Sequence, residues 1–171
     1  MKIIYVTTVS STTVFFTSHI NMLLEQGHHV DFACNLTKPI SQELLDRGCR
    51  VFQVDFSRSP MDLSNLRSYR EIKSLLQDEE YDIVHVHTPI AAAITRLATK
   101  KFPNIKVMYT AHGFHFFKGA PLFNWLIYYP IEKYLARYTD VLININQEDY
   151  ARAKRKFKAK KIEYVSGVGI D

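Results

Sequence analysis

No apolar run in this sequence approaches the roughly 20 residues that a membrane-spanning helix needs. The opening MKIIYVTTV is strand-like and lacks the apolar core and small-residue cleavage site of an export signal. Cysteine is scarce, with Cys34 and Cys49 alone in 171 residues. Without an export signal beside them, they are expected as reduced core thiols of a cytoplasmic protein. Glycine and proline, at 6 each, are too sparse for collagen-like repetition or a disordered Pro/Gly-rich chain. Signature motifs are missing as well. The loop after the first strand carries no G-x-G-x-x-G, which disfavours NAD or FAD. No G-x-S-x-G elbow and no P-loop occur, which argues against a serine hydrolase and a P-loop kinase.

What is present reads as one ordinary globular domain, 47% hydrophobic and 23% charged. Short apolar runs alternate with helical patterns, the mark of βαβ units around a parallel sheet. Strands are predicted at Lys2–Thr8, His29–Cys34, Arg50–Asp55, Asp82–His87, Ile105–Ala111, Asp140–Asn144 and Ile162–Val165. Helices are predicted from Thr12 or Thr13 to Glu25, Ser41–Arg47, Asp62–Asp78 and Ile90–Lys100, with Gly27 and Gly48 as stops. The aromatic segment Pro121–Tyr138 reads as a helix kinked or divided by Pro130. Its rings suit a core or, alternatively, a membrane surface. The fold class is therefore α/β, a Rossmann-like parallel sheet with helices on both faces.

In open parallel sheets ligands gather at the carboxyl ends of the strands, near the switch in strand order. That rule selects Ser10, Ser11 and Thr12 after the first strand, His87 after the fourth, His112 and Gly113 after the fifth, and Glu148 after the sixth. Ser10–Thr12 offer hydroxyls and free N–H groups at a helix start, a generic anion site or simply a cap. His112 could donate to a phosphate, accept a hydroxyl proton or orient a sugar, and a structural histidine fits the position equally. His85 and His87 share one face of their strand. With His112 and His115 nearby they could form a metal cluster, although no carboxylate or cysteine completes a known spacing.

The chain carries a net charge of +5, concentrated in RAKRKFKAKK at 152–161. This stretch is either a solvated helix and turn or a surface for anionic lipid, nucleic acid or a diphosphate.

The segment TAHGFHFFKGAPLFNWLIYYPIEKYLARYTDVLININQEDY resembles the family-4 (group 1) glycosyltransferases that build bacterial capsular and exopolysaccharides. DIVHVHTPIAA, the opening strand and helix with EQGHHVDFAC, and the closing VSGVGID fit the same family. The resemblance implies the N-terminal half of a GT-B fold, with residues 1–171 as a single acceptor-side domain. A C-terminal domain, not in this chain, would then bind the nucleotide sugar. It implies a retaining hexosyltransferase that needs no metal or further cofactor, with a UDP- or GDP-linked donor and a glycan acceptor on a lipid carrier. His112 matches the histidine near the transferred sugar, and Ser10, Ser11 and Thr12 match the turn facing the donor diphosphate, where many members have glycines. His19, His87, Gly113 and Glu148 fall where the acceptor lies. The expected location is the cytoplasm, at the inner face of the plasma membrane, with an anionic surface as a partner and nucleic acid excluded. Residues 1–171 alone are expected to fold without transferring sugar. Two other readings stay open, a GT-B nucleotide-sugar 2-epimerase and a one-domain binding module without catalysis.

Overall fold

β1 (Lys2–Val9) lies between two neighbours, and the strand reflects it: all but its end residues are buried. Parallel pairing to β2 (His29–Asn35) on one edge and β4 (Ile83–Val86) on the other consumes its backbone groups. The side chains then alternate between two covered faces, which demands an apolar run. In the computed structural model, which describes residues 1–167, this pair seeds a seven-stranded parallel sheet of order β3-β2-β1-β4-β5-β6-β7. The remaining strands are β3 (Val51–Gln53), β5 (Lys106–Ala111), β6 (Val141–Asn144) and β7 (Lys161–Tyr164).

The helices are α1 (Thr17–Glu25), α2 (Gln42–Asp46), α3 (Asn65–Asp78), α4 (Pro89–Thr99), α5 (Leu122–Leu135) and α6 (Gln147–Lys156). Ile3, Tyr5, Val30 and Phe32 pack with Phe16, Ile20 and Leu44 under α1 and α2. Ile4, Val6, Val84 and Tyr109 pack on the other face with Ile72, Ala91, Ala98 and Ala153 of α3, α4 and α6. The order of the strands reverses direction between β1 and β4, so the crevice at their carboxyl ends is the switch point.

The sequence reading is corrected in a few places. β3 is shorter than Arg50–Asp55, because it pairs on one edge only, with β2. The helix expected from Thr12 or Thr13 begins instead as a 3-10 segment, Ser10–Phe16. Thr12 Oγ1 donates to the Val9 carbonyl and Thr13 Oγ1 to that of Ser10, so these hydroxyls bond backward and cap nothing. α5 runs through Pro130 as one helix, with Pro130 on its exposed side. The end of VSGVGID, residues 168–171, lies outside the described residues.

Cys34 and Cys49 are free and buried, as expected, and burial raises both thiols to about 11. Among the described residues no helix is long and apolar enough to cross a membrane.

Among the described residues the core contains one full ion pair. Arg96 of α4 is 1% exposed and Glu132 of α5 is 7% exposed. The guanidinium donates to Glu132 Oε2 at 2.8 Å and to the Ala92 carbonyl at 3.1 Å. It also lies 4.3 Å from the centroid of the Tyr109 ring of β5. Each charge is tolerable only while the other is present. Glu132→Leu should therefore cost about 3–5 kcal/mol, and Arg96→Met with Glu132→Leu should recover most of it. Thermal melts of the single and double variants decide this; a double variant no more stable than the single would refute it.

Candidate active site

Residues two apart on a strand share a face, and here that rule assembles a polar row beneath the switch point. Tyr5 of β1 and His85 of β4 are register partners. His85 Nε2 and Thr110 Oγ1 of β5 are 2.9 Å apart in a hydrogen bond. The Tyr5 hydroxyl and Nδ1 of His19, on the first turn of α1, are 2.8 Å apart. His87 follows β4, and its Nδ1 is 3.3 Å from Nε2 of His112, the residue after β5.

Phe16 closes the row from above, with its ring centroid 3.9 Å from that of His87. It is placed there by the 3-10 segment, whose Ser10 hydroxyl donates to the Lys38 carbonyl at 2.7 Å and accepts the Lys38 N–H at 2.9 Å. The α4 side is tied in as well: Thr8 N–H donates to Thr88 Oγ1 at 2.7 Å.

The loop carrying His112 is held at both ends of a short span. Gly113 has φ +128°, a conformation that disfavours any residue with a Cβ. Phe114 N–H donates to Asp149 Oδ2 at 2.8 Å, and Lys118 N–H donates to Glu148 Oε1 at 2.9 Å. Asn146 caps α6 by accepting the Asp149 N–H at 2.8 Å, and its amide returns a bond to Asp149 Oδ2.

The candidate residues divide into those that reach solvent and those that do not. His112, at the strand end, and His19 are exposed, and Ser11, Thr12 and Gly113 are partly exposed. Ser10 is buried with its hydroxyl already paired in both directions, so it cannot turn to a diphosphate in this arrangement. His87 is 3% exposed beneath Phe16, so a direct acceptor contact from it is closed. Glu148 borders the loop and accepts from Arg152 at 2.7 Å, so it braces the loop. His115 turns away, 4.6 Å from the ring of Tyr128. Among the described residues no three His, Cys, Asp or Glu side chains are placed to hold a metal ion.

Tyr5, Phe16, Thr110 and Asp149 are members of the site that the strand-end rule does not select. For Asp149 a signal exists in the sequence: Asn146 followed three residues later by an acid is a cap pattern.

A parallel sheet of this order gathers hydrogen-bonded imidazoles at its switch point, where open α/β sheets bind ligands. The chain belongs to the glycosyl transferase 4-like family, whose model matches residues 2–146. It is 41% identical over 174 residues to EpsD of Bacillus subtilis (strain 168), a protein provisionally named a glycosyltransferase, covering 99% of this chain and 44% of that one. It is 27% identical over 128 residues to the Escherichia coli UDP-Gal:alpha-D-GlcNAc-diphosphoundecaprenol alpha-1,3-galactosyltransferase, covering 75% and 33%. The chain thus spans less than half the length of these relatives. Among solved structures, sucrose-phosphate synthase from Thermosynechococcus elongatus superposes with TM-score 0.71 at 14% identity, over 96% of this chain and 47% of that one. A UDP-N-acetylglucosamine 2-epimerase superposes with TM-score 0.67, also at 14% identity, over 95% and 47%. At such identities these likenesses show the fold alone.

Burial sets the charge state of the row. It pushes His85 down to about 3 and His87 well below the ordinary imidazole value, with the neighbouring imidazoles adding to both shifts. It lowers His19 and His112 too. The folded state therefore favours neutral rings, and the unfolded chain takes up protons first as pH falls. Their stability contribution is complete above the ordinary imidazole value of about 6.5 and is lost as pH falls below it. Carboxylates held low in the fold, such as Glu79 at about 2 through hydrogen bonds from Arg50 and Lys2, add their loss only below about pH 4. Melting temperature should thus fall between about pH 6.5 and 4.5, and less steeply for His85→Asn. A wild-type Tm flat across that window would refute the reading.

Proposed function

We propose that this chain is the acceptor-side half of a retaining glycosyltransferase of polysaccharide synthesis. In this reading the enzyme moves a sugar from a UDP- or GDP-linked donor to a glycan on a lipid diphosphate carrier. Membership of the family supports transfer, and the E. coli relative's name supports a diphosphate-linked lipid acceptor. The observation that carries the site assignment is His112, exposed after β5, tied to His87 behind it and followed by a positive-φ glycine.

A neutral imidazole so placed polarises and orients a sugar hydroxyl or phosphate oxygen and forms no covalent bond to it. His19, Ser11, Thr12 and Gly113 complete this wall, while a second domain supplies most donor contacts. Retention then proceeds by attack on the face that the leaving diphosphate departs, with the diphosphate taking the acceptor proton. Epimerases share the fold, and the test separates them: transfer to an acceptor distinguishes this reading from release of epimerised nucleotide sugar.

In the full-length enzyme, His112→Ala should lower transfer by about 10²-fold, the scale of one positioned polar group. Its melting temperature should stay close to wild type. Unchanged kcat and KM would make His112 structural and remove the assignment.

A lipid-linked acceptor brings the enzyme to a bilayer, and the apolar surface is consistent with one. Of the four rings expected to suit a membrane surface, Trp125, Tyr128 and Tyr129 of α5 are half-buried against the core, and Phe123 stays exposed. With Phe123 (61%), Leu122 (73%) and Leu126 (65%) of α5 are exposed, as are Met61 (73%) and Leu63 (80%) just before α3 and Leu66 (60%) in its first turn. Between α3, α4 and α5 lies a groove of about 1050 Å³, lined by Met61, Leu63, Leu66, Ile131, Lys100 and Lys101 among others. The cationic stretch is only partly free: Arg152 braces the Phe116 carbonyl, and Lys160 and Lys161 pair with Asp140 and Glu163. The full-length protein should co-sediment with anionic vesicles, less so as salt shortens the screening length. Leu63→Ser with Phe123→Ser should weaken that binding more than Lys154→Ser with Lys158→Ser. Equal binding by all variants would rule out this apolar surface as the anchor, and no binding by wild type would favour a water-soluble acceptor.

A further inference from the structure

His87 is enclosed on every side that the structure describes. Its ring centroid lies 3.9 Å from that of Phe16, 4.1 Å from that of His85, and 5.4 Å from that of Tyr5, which stacks on it. Burial keeps it neutral, so it carries one ring proton on one of two nitrogens. Nδ1 faces His112 Nε2 at 3.3 Å, and Nε2 is buried with no partner.

The place of that proton follows from what each choice leaves unmade. With the proton on Nε2, the ring would bury an N–H without an acceptor, the rarer and costlier defect in protein interiors. With the proton on Nδ1, the N–H is used by His112, and only a lone pair stays unfilled. The second arrangement makes His112 Nε2 an acceptor, and a neutral His112 must then carry its own proton on Nδ1.

We propose that His87 is a positioning residue that donates Nδ1–H to His112 Nε2 and so fixes His112 as its Nδ1–H tautomer. This rests on the reading of His112 as the cleft residue of the transferase. It deepens that reading, because a His112 whose free nitrogen carries a proton is a hydrogen-bond donor. It binds an electron-rich oxygen of the ligand, a diphosphate or sugar hydroxyl oxygen, and does not take the acceptor's proton. Buried His87 acts on the ligand through His112 alone. The tautomer is set before ligand arrives, by a ring that the ligand never touches.

Nitrogen-15 NMR of the histidine-labelled full-length protein, without substrate, reads this directly, since protonated and unprotonated ring nitrogens resonate far apart. The His112 signals, assigned by their loss in His112→Ala, should show a protonated Nδ1 and an unprotonated Nε2 across neutral pH. In His87→Leu the proton should move toward Nε2, whereas His87→Asn, whose amide can donate from a similar place, should keep it on Nδ1. A wild-type His112 protonated at Nε2 overturns the proposal, as does a His87→Leu spectrum identical to wild type. If His87→Leu fails to fold, the wild-type and His87→Asn spectra decide alone. The readout is independent of turnover. Unchanged kinetics in His112→Ala, which would remove the site assignment, therefore stay distinguishable from a failure of the tautomer proposal.

Discussion

Everything in this domain depends on β1 having no free edge. Hydrogen-bonded to β2 and β4 along its length and covered on both faces, it can present chemistry only where it ends. The chain must leave the sheet there, and what it builds next, the 3-10 segment with Phe16, becomes the cover of the site. The same constraint acts on β4 and β5, whose last residues hand over directly to His87 and His112. The site is thus the meeting of strand ends, and its polar row lies in the sheet, below the loops.

That row explains why a cluster of imidazoles is compatible with a hydrophobic interior. Each ring makes one hydrogen bond within the row, Tyr5 with His19, His85 with Thr110, His87 with His112, and His87 Nε2 alone is buried without one among the rings of the row. A buried polar group so paired costs little, and a charge at the same place would cost much. The row is therefore held neutral by its surroundings. A neutral, pre-oriented ring at the mouth of a cleft is suited to hydrogen bonding and poorly suited to electrostatic capture.

Much of this was legible from the amino acids. Alternating apolar runs and helical patterns placed every strand within a few residues, because buried parallel strands leave a compositional imprint that needs no tertiary context. The strand-end rule likewise placed His87, His112 and Gly113 at neighbouring strand ends, where the structure has them. What stayed hidden was decided by distant partners. Ser10 looked like a free hydroxyl until Lys38, 28 residues on, took both of its hydrogen bonds. Thr12 and Thr13 looked like caps, yet their hydroxyls prefer the carbonyls just behind them. Trp125 and Tyr129 of α5 suited a core more than a membrane surface, but an all-round aromatic helix has no marked face, and only the structure shows them packed on Phe116 and Phe157.

The buried pair of Arg96 and Glu132 has a consequence for how the chain is made. The carboxylate lies 36 residues after the guanidinium it neutralises. At synthesis rates of about 5–20 residues per second, α4 leaves the ribosome roughly two to seven seconds before its partner does. Over that interval α4 cannot settle on the sheet without dehydrating an unmatched cation. The nascent half-sheet of β1, β2, β3 and β4 therefore waits with the face under α3 only partly covered, and α5 arrives as the element that lets α4 dock. A ribosomal pause between the two codons would lengthen the life of that uncovered surface, and with it the chain's need for a chaperone.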